Sequence, residues 1–160
     1  MVTAAALGAA ACDQMLGPEK AASAPPVPQA DPTLRNHAGE TYAAFSAGAG
    51  ARYTPDALGL SAGDRARVWR AMAAGQAGQI LTGGGAQALV FSGCADTGCA
   101  DGRSIVAVDL ATGDPFVGVR DVGGADVLEP NDRLEALLRL NSPTRSWDDP
   151  QPAPPPQERP

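Results

Sequence analysis

The chain has 160 residues, 44% of them apolar and 19% charged, which suits one soluble domain with a real core. Its 12 basic residues against 18 acidic ones give a net charge of −6, and the lysines and arginines form no run. This excludes nucleic acid as an expected partner, because nothing here could neutralise a row of phosphates. The acidic balance itself needs no explanation beyond solubility.

Residues 2–11, VTAAALGAAA, form an uncharged small and apolar run that stops at Cys12, and Asp13 and Gln14 turn polar at once. Such a run is about half of what a bilayer-spanning helix needs, and it has the shape of the hydrophobic part of a secretory signal. The small residues before Cys12 resemble a bacterial lipobox, in which the signal is removed and the cysteine becomes the lipidated first residue. Residues 1–11 then read as a partial lipoprotein-type signal, with Cys12 as the lipid attachment. The Pro/Ala-rich stretch 12–31 reads as a tether that leaves the protein anchored to a membrane in the periplasm. The other reading of the same residues is an Ala-rich start with Cys12 an ordinary thiol.

Asp31 before Pro32 offers an N-cap and a proline at the first helical position, and Leu34, Ala38, Tyr42 and Phe45 recur at helical spacing. They predict a helix over 32–46, weakened at Gly39. Ser61 with Asp64 resembles a capping box, and Val68, Trp69, Met72 and Ala73 form one face of a second helix that buries Trp69 and stops at Gly75. From residue 79 the period changes. Residues 87–93, 104–110 and 115–121 are short β-branched or aromatic runs, the last two joined by a turn at 111–114, and they predict neighbouring antiparallel strands. Asn131 and Asp132 open a last helix through Leu134, Leu137 and Leu138, ended by Asn141 and Pro143. The expected fold is α+β, an antiparallel sheet covered on one face by helices. The domain is placed at 32–142, with 143–160 as a Pro-rich disordered tail.

Cys94 and Cys99 bracket Ala95, Asp96, Thr97 and Gly98. A zinc site needs about four ligands, and outside this loop only His37 and Cys12 could supply imidazole or thiolate. Thioredoxin-like chemistry needs two intervening residues at a helix N-terminus, whereas four lie here in a strand connection. A Cys94–Cys99 disulfide fits the exported location. Closing so short a loop contributes only about 2 kcal/mol in the chain-entropy model. Its better use is to hold the enclosed residues in one shape for a partner. A plain oxidised strand connection is the alternative.

The run CADTGCADGR from Cys94 to Arg103, followed by the aliphatic strand, turn and glycine-containing strand IVAVDLATGDPFVGV, resembles the Ivy family, the bacterial inhibitors of vertebrate C-type lysozyme. With the preceding helix and TGGG at 82–85 the resemblance spans about residues 33–140. It implies an exported α+β domain whose disulfide-closed loop, Ala95 to Gly98 supported by Arg103, enters the cleft of C-type lysozyme, where a loop histidine meets the catalytic carboxylates. In this chain Thr97 stands where that histidine would be. Its hydroxyl can still donate one hydrogen bond, while Asp96 adds a negative charge that is repulsive unless an arginine or a proton intervenes. The expected target is therefore C-type lysozyme bound more weakly, or a different peptidoglycan-cleaving enzyme such as a lytic transglycosylase. A homodimer is admitted, and no cofactor or metal is expected.

An enzyme is the rival class and is not the expectation. His37, the sole histidine, lies beside an apolar helical stripe with no nucleophile motif near it. Asp96, Asp101, Asp109 and Asp114 could in principle supply a carboxylate pair, but acidic residues around turns are mostly solvated. The other rival is a non-inhibitory envelope lipoprotein that scaffolds through its sheet edge or its Pro-rich tail.

Overall fold

The computed structural model describes residues 31–151. The signal segment, Cys12 and most of the tether lie outside them, as do residues 152–160 of the tail. The α+β class holds. Six antiparallel strands, β1 (Ala74–Gly75), β2 (Gln79–Gly83), β3 (Ala86–Ala95), β4 (Gly98–Asp109), β5 (Pro115–Asp121) and β6 (Gly124–Glu129), combine with three α-helices, α1 (Tyr42–Ser46), α2 (Ala62–Ala71) and α3 (Asp132–Leu140). The sheet order is β1-β3-β4-β5-β6, with β2 pairing along the same edge of β3 as β1.

The sheet is covered on both faces, not one. In β3, β4 and β5 both parities of the alternation are apolar. Leu89, Phe91, Val106, Val108, Val117 and Val119 face α1, α2 and Leu34. Ala88, Val90, Ile105, Ala107 and Phe116 face Leu134, Leu137 and Leu138 of α3. A strand buried on two sides reads as a continuous apolar run, which is how these three appear in the sequence.

The single helix expected over 32–46 is two pieces. Asp31 caps a 3-10 helix Pro32–His37 by accepting from the Thr33 N–H at 2.9 Å. Gly39 then takes φ +94, a conformation glycine adopts without penalty, and the chain pairs with the sheet edge through Gly39 N to Gly78 O and Gly78 N to Glu40 O, each 2.7 Å. Edge pairing outweighs the helical spacing there. Ser61 and Asn131 cap α2 and α3 as expected, accepting from Asp64 N at 3.2 Å and Leu134 N at 3.1 Å. Trp69 is not buried: it is 37% exposed and lies against Tyr42, ring centroids 5.4 Å apart, while Val68 and Ala71 turn inward.

The domain does not end at 142. The segment after α3 folds back over the sheet, where Trp147 joins the α3-side core and Asp148 and Pro150 are buried. Arg120 pairs with Asp148 at 2.6 Å, Arg103 with Asp149 at 2.5 Å, and Gln151 N closes on Asn141 O at 3.0 Å. Seven prolines from position 143 onward conceal one aromatic anchor in this part of the sequence. Among the described residues no helix is long and apolar enough to cross a membrane.

Candidate functional site

Strand direction decides where the site lies. β3 and β5 run the same way, so the β3–β4 and β5–β6 turns fall at one end of the sheet, Asp96–Thr97 beside Val122–Gly123. The C-terminal end of α2 reaches the same end because residues that would keep it away are missing. A Cβ on Gly93 would stand 2.8 Å from Met72 Cα, nearer than real Cβ atoms approach, whereas one on Gly102 would meet Ala71 Cβ at an ordinary contact distance of 3.5 Å. Gly93 of β3 thus lets the end of α2 sit directly behind the cysteines, with Ala71 in contact over Gly102.

Cys94 and Cys99 form the disulfide, with Cα atoms 4.6 Å apart. The enclosed residues form a tight hairpin. Ala95 pairs with Gly98, leaving Asp96–Thr97 as a two-residue turn, and Gly98 at φ +123 supplies the backbone conformation that closes it. Cys94 pairs in register with Arg103, so Cys99 to Gly102 form a bulge without partners on β3, Gly102 still pairing with Asp121 of β5, and the disulfide ties the start of that bulge to β3. Ala95 is buried and Gly98 half-buried, so of the expected partner-binding residues only Asp96 and Thr97 are fully presented, joined by exposed Ala100 and Asp101 of the bulge.

Arg103 pairs through its backbone with Cys94 at the base of the loop, but its side chain is engaged elsewhere. Its guanidinium donates to Asp148 O at 2.9 Å and to Asp149, holding the C-terminal segment. That partner lies 45 residues away, and no spacing rule in the sequence points to it.

Between the two turns and the end of α2 runs a groove of about 490 Å³ lined by Arg70, Ala73, Ala95, Asp96, Thr97, Asp101, Asp121 and Val122. Val122 is 93% exposed at the β5–β6 tip. Its turn is fixed by Asp121, whose carboxylate accepts from Gly123 N at 2.9 Å and takes both Nε and Nη2 of Arg67 at 2.8 and 3.1 Å. The Arg67 hydrogen bond holds the Asp121 carboxyl below its ordinary range. Arg67 also reaches Asp126 at 2.8 Å, tying α2 to the β5–β6 hairpin.

The other acidic and imidazole candidates stand apart from this groove. Asp109 is buried, accepts from Ala111 N and Thr112 N at 2.7 and 3.3 Å and pairs with Arg133 at 3.3 Å, so it builds the β4–β5 turn. Asp114 closes the same turn by accepting from Asp109 N at 2.9 Å through its backbone oxygen. His37 pairs with Glu40 at 3.1 Å and packs on Phe45, ring centroids 5.3 Å apart. The sequence reading missed Val122 and Arg70. A lone valine before two glycines and an arginine at a helix end carry no signal until topology brings them to the cysteines.

No protein-family model, no curated protein and no solved structure matches the chain.

Proposed function

We propose that the protein is a binding module of the bacterial envelope, held at the membrane by lipid on Cys12, that uses the disulfide-closed β3–β4 turn to bind and block a peptidoglycan-cleaving enzyme. The observation that carries the reading is the geometry of that turn. Asp96 and Thr97 stand exposed at the tip of a two-residue hairpin, tied at its base by Cys94–Cys99 and backed by the last turn of α2. A turn fixed in this way loses little conformational freedom when a partner closes on it. The resemblance of residues 94–103 to the Ivy inhibitors supplies the class of partner, C-type lysozyme or a lytic transglycosylase.

The test is an inhibition assay. The full chain is added to hen lysozyme and to periplasmic lytic transglycosylases acting on peptidoglycan. Slower cleavage by at least one enzyme supports the reading, and unchanged rates with all of them remove it.

A further inference from the structure

The turn brings Asp96 to a partner whose working groups are carboxylates, and two like charges at close range repel unless a cation stands with them. The structure supplies that cation from another element. Of the residues lining the groove, Arg70 is the sole base, set against Asp96, Asp101 and Asp121. Asp121 takes its side-chain hydrogen bonds from Arg67, and the charge of Arg70 acts on it only at longer range, without an ion pair. Arg70 is exposed, and none of the ion pairs among the described residues engages it.

Its base is nonetheless rigid. Arg70 lies in the last turn of α2, between buried Val68 and the buried Ala71 that packs over Gly102, and the Met72 backbone rests on Gly93. A guanidinium presented from a fixed helix end can form a two-pronged contact with a carboxylate, which the single hydroxyl of Thr97 cannot.

We propose that Arg70 is the group that meets a catalytic carboxylate of the target enzyme, with the Asp96–Thr97 turn docking beside it and Val122 covering the apolar edge of the contact. This rests on the reading of the partner as a peptidoglycan-cleaving enzyme. It moves the decisive contact from the cysteine loop to α2, and it accounts for a loop that has no histidine.

The experiment measures binding of the full chain, and of its Arg70→Glu, Arg70→Gln and Arg70→Lys variants, to whichever of hen lysozyme and a periplasmic lytic transglycosylase the unaltered chain binds. Melting curves check that each variant is folded. Arg70→Glu is expected to weaken binding by roughly tenfold or more, Arg70→Gln by less, and Arg70→Lys least, with the differences shrinking as salt rises. Binding by Arg70→Glu and Arg70→Gln as tight as that of the unaltered chain overturns the role of Arg70 while leaving the partner class standing. Failure of the unaltered chain to bind either enzyme removes both.

Discussion

The indole of Trp147 fills the space that a side chain at position 118 would occupy: a Cβ built on Gly118 would stand 2.5 Å from the ring. The same indole meets Phe116 edge-on, ring centroids 5.8 Å apart, so the segment after α3 is packed into the core. Trp147→Ala should cost about 3 kcal/mol of unfolding free energy, in the range of large aromatic deletions, read from urea denaturation. Gly118→Ala should destabilise as well by displacing the ring. Midpoints equal to that of the unaltered chain would show that the segment does not belong to the fold.

Acid should loosen the tie between α2 and the β5–β6 hairpin. Asp121 has its folded-state pKa held below the ordinary value of 3.8, chiefly by the Arg67 hydrogen bond. Its stabilising contribution is therefore complete above that value and is lost as pH falls through the depressed folded one. The melting temperature of Arg67→Ala should lie below that of the unaltered chain at neutral pH, and the gap should narrow below about pH 4. A gap independent of pH would assign the role of Arg67 to packing alone.

The disulfide should matter more to recognition than to stability. Replacing Cys94 and Cys99 together by serine removes a short-range closure contributing about 2 kcal/mol, while freeing the bulge that carries Ala100 and Asp101. Affinity for the partner should fall further than unfolding free energy does, the two being compared in the same units. Equal losses would make the pair an ordinary strand staple.

How much of this was legible in the sequence differs by element. The caps Asp31, Ser61 and Asn131 act through neighbours two or three positions away, so their residue types announced them. The three central strands were plain as apolar runs. β2 and β6 were not, since each is a short edge strand with only two adjacent aliphatic residues, Ile80 and Leu81 in β2 and Val127 and Leu128 in β6, too few to show an alternating pattern. The helix break at Gly39 depends on Gly78 across the sheet edge, and the place of Trp147 depends on Gly118, both relationships between distant positions. The cysteine pair was readable as a frame. Its tight hairpin, and the groove it shares with Arg70 and Val122, follow from strand direction, the positive φ of Gly98 and the close approach of α2 at Gly93.

The central claim is that the cysteine-closed turn binds a peptidoglycan-cleaving enzyme. It is tested most directly by titrating the full chain into hen lysozyme and into periplasmic lytic transglycosylases in a calorimeter. The expected result is saturable binding at one site to at least one of them, abolished or much weakened when Asp96 and Thr97 are both exchanged for bulky lysine and tryptophan. Absence of binding to every enzyme tried, or binding unchanged by that exchange, would contradict it.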